Sequence, residues 1–166
     1  MHFELEQRIN KPAEQVAGVF VDPRFYDLLD TLPNLGRPEV LTHDVHGSSA
    51  HLRIRYRFTG HLSSAVRAAV DPEKLTWVED TQHDLATHSA RFTMVADHYA
   101  DRFQCAGTYR FDAVSPTTTT RICAGDLRIR MPLVGHRVEK AIVSGLRDHL
   151  EAEEDVVERF LSQSTG

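Results

Sequence analysis

The stretch that decides the fold runs from residue 125 to residue 161, GDLRIRMPLVGHRVEKAIVSGLRDHLEAEEDVVERFL. Gly125 to Met131 alternates between inward and outward residues as a strand does, meets Pro132, and is followed by one long amphipathic helix that ends near Leu161. At ~100° per residue, one apolar stripe carries a polar ring, His149, at its middle and contains Val134, Val138, Ala141, Ile142, Gly145, Ala152, Val156 and Phe160. A helix of this length can cross a sheet of about seven strands.

The chain before this stretch contains one strand, two short helices and a series of further strands. Phe3, Leu5 and Ile9 alternate with charged residues, which is typical of a half-buried strand. We predict Asn10 as the cap of a first short helix, and Asp22 as the cap of a second. From residue 39 to residue 131, alternating segments predict about six strands, and residues 60–70 fit either a strand or a short helix.

This order of elements predicts an α+β fold. Strands joined by short turns form an antiparallel sheet with one dry face, and the terminal helix is the only helix long enough to cover that face. We therefore predict a helix-grip arrangement: a curved antiparallel sheet of six or seven strands around the C-terminal helix, with two short helices after the first strand. Residues 1–161 form a single domain in this prediction, and residues 162–166 form a frayed polar tail.

Composition narrows the class of protein. The net charge of −5 disfavours nucleic acid or an anionic membrane as the main partner, and two cysteines are too few for a secreted disulfide framework. No apolar run approaches the ~20 residues that span a bilayer, and the first six residues alternate like a strand rather than a signal peptide. We expect a cytoplasmic protein without an integral membrane segment, and the oligomeric state remains open. An outward stripe of basic residues is expected to pair with outward acids such as Glu4 and Glu6. It comprises His51, Arg53, Arg55 and Arg57, together with Arg128 and Arg130 on the last strand.

The segment LRIRMPLVGHRVEKAI, residues 127–142, together with residues 157–161, resembles the START-like (SRPBCC) superfamily. That superfamily holds polyketide cyclases, aromatases and lipid carriers, and the most similar member is a bacterial START-like family of unknown function. The resemblance covers the whole chain, although only this C-terminal segment is specific. It implies the helix-grip fold and a hydrophobic cavity, but it implies no reaction.

Candidate ligand contacts come from the inner face of the predicted sheet and from the helix stripe. These residues are Tyr56, Phe58, Trp77, Glu79, Phe92, Met94, Tyr109, Phe111, Leu127, Ile142, Gly145 and His149. They line a pocket if the helix stands away from the sheet, and otherwise they fill the core. Glycine at position 145 either lets the helix approach closely or leaves room for a guest. For Glu79, we favour a solvated position at a strand end or bulge over a buried carboxylate.

Histidines and cysteines supply the remaining candidates. For His149 we favour a core histidine bonded to a neighbour such as Glu153, with ligand contact or proton transfer as the alternatives. Cys105 and Cys123 are expected nearly opposite each other on adjacent strands, as two reduced thiols rather than a disulfide. The other histidines show no metal-ligand spacing, so neither a metal nor a cofactor is expected.

Three functions remain open from the sequence. The preferred one is a protein that binds, and carries or sequesters, a lipid-like or polyketide-like molecule between sheet and helix. The second is a cyclase-like or aromatase-like enzyme that uses His149 with Tyr56 or Tyr109 for proton transfer. The third is a protein-interaction module without a usable cavity.

Overall fold

A computed structural model describes residues 1–164, and in it seven strands form one curved antiparallel sheet. The strands are β1 (His2–Ile9), β2 (Glu39–His46), β3 (Ser49–Arg57), β4 (Thr76–Asp84), β5 (Ser89–Ala96), β6 (Phe103–Ser115) and β7 (Thr118–Ile129). They are ordered β1-β7-β6-β5-β4-β3-β2 across the sheet. The predicted antiparallel sheet of six or seven strands is therefore confirmed, with seven strands.

Within the described residues, four α-helices accompany the sheet, and they are α1 (Ala13–Val19), α2 (Pro23–Tyr26), α3 (Ser64–Ala69) and α4 (Gly135–Ser164). The ambiguous stretch at residues 60–70 contains α3, which Ser63 caps by accepting a hydrogen bond from the backbone N–H of Val66. The long terminal helix is confirmed, and it passes Leu161 to include Ser162–Ser164 of the predicted tail. The last two residues of that tail, Thr165 and Gly166, lie outside the described residues.

The two short helices follow β1 as predicted, but one of their caps differs. Asp22 caps α2 by accepting from the backbone N–H of Arg24 at 3.0 Å. Asn10 does not cap α1, because Pro12 occupies the N-cap position. The backbone N–H of Asn10 instead donates to Oε1 of Glu158 at 2.7 Å, which ties the end of β1 to α4.

Helix α4 lies on the dry face of the sheet, mainly against β1 and β7 at one edge. Every second residue of β1 points to this face, including Phe3, Leu5 and Ile9. Strands β3, β4 and β5 lie nearer the opposite edge of the same sheet, away from α4. Any gap between helix and sheet is therefore expected along the inner face of β3–β5.

The register of the β6–β7 hairpin corrects the prediction for the two cysteines. Cys105 pairs with Leu127, and Cys123 pairs with Tyr109, so the thiols are not opposite each other. The hairpin turns between Ser115 and Thr118, which is farther along the chain than predicted. When the centre of a hairpin turn shifts by one residue, the partner of each residue on the first strand shifts by two residues on the second. Both thiols are free, and burial raises the pKa of each to about 12.

The basic outer stripe pairs with acids on neighbouring strands and on the segments next to β4 and β5, rather than with Glu4 and Glu6. His51 and Arg53 contact Asp80 of β4, at 2.9 and 3.6 Å. The remaining pairs are Arg55 with Asp97 and Glu39, and Arg57 with Glu73. The predicted partners were wrong because β1 lies at the opposite edge of the sheet from β2 and β3.

Candidate functional site

Two small cavities lie between α4 and the inner face of the sheet. The larger, of about 40 Å³, lies beside Glu79, Tyr109 and Arg121. The smaller, of about 30 Å³, is almost wholly apolar and lies near the first turns of α4, beside Ile142. Trp77 lines both cavities and therefore separates them. Because a water needs ~10–15 Å³ and small-molecule pockets measure roughly 300–1,000 Å³, each cavity has room for only a few waters.

The candidate residues divide between cavity walls and filled core. Six of them line the larger cavity: Tyr56, Trp77, Glu79, Met94, Tyr109 and His149. Ile142 lines the smaller one together with Trp77. The other five are part of neither cavity wall: Phe58, Phe92, Phe111, Leu127 and Gly145. A Cβ on Gly145 would lie 2.6 Å from the ring of Phe58, so this glycine serves close approach and not guest space.

Glu79 is buried at the wall of the larger cavity. Its Oε2 accepts a hydrogen bond from the hydroxyl of Tyr109 at 3.1 Å, and its Oε1 accepts one from Thr81 at 3.2 Å. The solvated position favoured from the sequence is wrong, because β4 pairs without interruption on both sides of this residue. Burial raises the pKa of Glu79, and this outweighs the lowering effects of Arg121, Tyr109 and Thr81. The carboxyl group is therefore biased towards its uncharged, protonated form.

A buried ionic network that the sequence analysis missed forms the floor of this cavity. Nη1 of Arg121 donates to Oε1 of Gln7 at 2.6 Å and to Oε1 of Glu153 at 3.1 Å. The guanidinium also stacks 3.7 Å from the ring centre of Phe20 and 4.3 Å from that of Tyr109. The alternation along the strands contained the signal. Arg121 lies two residues before Cys123, and Gln7 lies two residues after Leu5, so each shares the inward face of its strand with an apolar neighbour.

His149 is a buried member of the same network. Its Nδ1 lies 3.1 Å from the carbonyl oxygen of Pro33, and its Nε2 lies 3.7 Å from Oε2 of Glu153. Desolvation tends to raise the pKa of Glu153, but the neighbouring His149 ring, the charge of Arg121 and the hydrogen bond from Gln7 outweigh it, and the pKa is lowered. Because both ring nitrogens face protein oxygens, the geometry matches the core histidine favoured from the sequence.

Two buried nitrogens have no hydrogen-bond partner among the described residues, and both lie at the larger cavity. They are Nε1 of Trp77 and Nε of Arg121. The Trp77 indole stacks on the ring of Phe103, with ring centres 6.2 Å apart. It packs at a tilt against the ring of Tyr56, with ring centres 6.3 Å apart. An unsatisfied buried N–H costs about 1–3 kcal/mol, and an acceptor in the cavity would remove that cost.

Two searches of the described chain bear on other kinds of site. Within residues 1–164, no group of three or more His, Cys, Asp or Glu side chains is arranged to hold a metal ion. None of the helices in that range is long and apolar enough to cross a membrane.

Comparison with known proteins agrees with this architecture. The model of a family described as protein of unknown function, DUF2505, matches residues 4–161. Among solved structures, TTHA0849 from Thermus thermophilus superposes with a TM-score of 0.68 at 17% identity, with 100% of both chains covered. The Zhui aromatase/cyclase from a Streptomyces species gives 0.67 at 15%, with 100% of this chain and 96% of that chain covered.

A START superfamily protein from Mycobacterium smegmatis is also similar, with a TM-score of 0.59 at 15% identity and coverage of 96% of this chain and 98% of that one. At such identities these likenesses show a common fold and leave function unassigned. A search of curated proteins found none that matches the chain in sequence. The START-like fold that residues 127–142 and 157–161 implied is thereby confirmed.

Proposed function

We propose that this chain, which belongs to the DUF2505 family of proteins of unknown function, binds a small, uncharged and largely apolar molecule between its sheet and α4. One observation carries the proposal. The buried indole N–H of Trp77 has no acceptor among the described residues, and the Trp77 side chain lines both of the cavities between the sheet and α4. A lipid-like or polyketide-like molecule with a carbonyl or hydroxyl oxygen would supply that acceptor.

The charges of the site favour an uncharged ligand. Arg121 is the cation of the larger cavity wall, and it is already paired with Glu153 at 3.1 Å. The second acid, Glu79, is biased towards its neutral form by burial, which raises its pKa. A carboxylate ligand would add a buried negative charge without a free cation to balance it. At a pH below its raised pKa, Glu79 can instead donate a hydrogen bond to a neutral oxygen.

The two cavities measure only about 40 and 30 Å³, so a ligand can enter only if the loop that carries Pro33 and Asn34 moves away from α4. Few polar contacts hold this boundary. The amide of Asn34 donates to the carbonyl of Gly145 at 3.2 Å and to Asp148 at 3.3 Å, and Pro33 accepts from His149. We propose that this loop opens and that the Trp77 side chain shifts, joining the two cavities into one pocket.

Matched pairs of probes test the proposal. Thermal unfolding is measured with 1-decanol and decanoate, and with 2-naphthol and 2-naphthoate. We expect the neutral member of at least one pair to raise the melting temperature and its carboxylate to have little effect. Trp77→Phe keeps an aromatic ring but removes the N–H, and should weaken that stabilisation. Thr93→Val, which removes a donor from an exposed position of β5 outside both cavities, should not. Native mass spectrometry of the purified chain checks for a co-purifying neutral molecule.

The small volume of the cavities favours one second candidate, a protein-interaction module. In that case no probe stabilises the chain and no small molecule co-purifies with it. An enzyme that uses His149 is less well supported, because both of its ring nitrogens face protein oxygens. The aromatase/cyclase among the structural relatives shares the fold at 15% identity, which transfers no reaction to this chain.

A further inference from the structure

Leu133 lies on the loop between β7 and α4, and its side chain is 100% exposed. Its φ of 68° places it in the left-handed region, which a bulky residue adopts only at a cost in free energy. Four other large apolar residues of the described chain are exposed by 44–58%, so Leu133 stands apart from them. Folding therefore presents this side chain to solvent although water is an unfavourable environment for it.

The loop is held rigidly at both of its ends. The backbone N–H of Ile129 donates to Oε1 of Glu139 at 2.9 Å. The N–H of Gly135 donates to the carbonyl of Met131 at 3.0 Å, and that of Val134 donates to Pro132 at 2.8 Å. A side chain at position 135 would collide with the carbonyl of Ile129. The exposure of Leu133 is thus part of a built turn.

Basic residues surround this loop although the chain carries a net charge of −5. Arg130 lies in the loop, Arg137 lies in the first turn of α4, and Lys74 lines the smaller cavity beside Met131. None of these three has an ion-pair partner within the described part of the chain. Arg102, whose carbonyl accepts from the N–H of Arg130 at 2.7 Å, lies 3.8 Å from the exposed Asp101.

We propose that this surface, Leu133 with Lys74, Arg102, Arg130 and Arg137, docks the protein on an anionic lipid membrane. Leu133 enters the hydrocarbon boundary, and the cations contact lipid phosphates. The charge of the cluster favours lipid over a second copy of this chain, because two such clusters would repel each other. The proposal does not depend on the occupancy of the cavity at Glu79.

Vesicle co-sedimentation tests it with phosphatidylcholine alone and with phosphatidylcholine containing about one third phosphatidylglycerol. We expect binding to the anionic vesicles and loss of that binding at high salt. Leu133→Asn preserves the left-handed backbone and should lower the partition coefficient about tenfold or more. Arg130→Glu should lower it as well. The matched controls are Leu28→Asn and Arg91→Glu, at exposed positions elsewhere, and they should bind like the unmodified chain.

Three outcomes would overturn the proposal. The first is binding to neither kind of vesicle, and the second is equal binding by Leu133→Asn and the unmodified chain. The third is self-association: sedimentation velocity would show a dimer that Leu133→Asn dissociates, while vesicles remain unbound. Because Leu133 is 100% exposed and asparagine adopts the left-handed backbone at lower cost, Leu133→Asn should not lower the melting temperature, and this control distinguishes lost docking from lost folding.

Discussion

Removal of one charge from the buried Arg121–Glu153 pair should destabilise the fold strongly. Their side chains are each 6% exposed and the ion pair measures 3.1 Å, so either charge alone is poorly solvated. Breaking such a pair costs about 3–5 kcal/mol. Gln7 still contacts whichever partner remains, so we expect about 3 kcal/mol for Arg121→Met and for Glu153→Gln. Urea denaturation followed by circular dichroism at neutral pH measures each loss.

The double variant decides whether the buried charge is the cause. Arg121→Met with Glu153→Gln leaves neither charge of the pair, so it should lose less stability than the sum of the single changes, by at least ~1 kcal/mol. The exposed pair of Arg110 and Asp112, 3.0 Å apart, is the matched control, and Arg110→Met should cost little stability because solvent screens both charges. Strict additivity in the double variant, or single losses as small as the control's, would refute this reasoning.

Three further predictions follow from single residues. Burial raises the folded-state pKa of Glu79, so its stabilising contribution is complete below the unfolded value of 4.5 and is lost as pH rises; Glu79→Gln should therefore gain stability relative to the unmodified chain as pH increases in melting experiments. Burial lowers the pKa of His83 from 6.5 to about 4, so the free energy of unfolding falls as the pH drops from 6.5 towards 4. In urea titrations over this range, His83→Gln should lose up to ~3 kcal/mol less stability than the unmodified chain. Gly145→Ala should cost ~1–3 kcal/mol against the Phe58 ring, whereas Gly18→Ala, with nothing within 4 Å of its new Cβ, should stabilise the chain slightly.

The architecture was predictable because it is encoded in periodicity. The alternation at Phe3, Leu5 and Ile9 and the helical stripe from Val138 to Phe160 each depend on several residues, so one polar exception does not erase them. The same robustness hides the site. Gln7 and Arg121 occupy inward positions of β1 and β7, and a pattern that counts only apolar residues passes over both.

Register and distance were beyond the reach of single-strand patterns. The partner of Cys105 depends on the exact position of the β6–β7 turn, which the run of four threonines from Thr117 does not specify. The partners of Arg53 and Arg55 depend on the order of strands across the sheet. The space beside Gly145 could hold either a ligand or the Phe58 ring, and the difference is about the size of one methyl group. A hydrophobic periodicity contains no information at that scale.

The polar interior is the strongest argument that the helix–sheet boundary serves more than stability. Glu79, Arg121, His149 and Glu153 are all buried around one small cavity. Apolar residues of similar volume usually replace such groups with neutral or favourable effect on folding. A boundary that served only to hold α4 on the sheet would gain from that replacement. If the double variant at Arg121 and Glu153 folds nearly as stably as the unmodified chain yet loses the response to neutral probes, the network positions a ligand; if it keeps that response, the network only supports the fold.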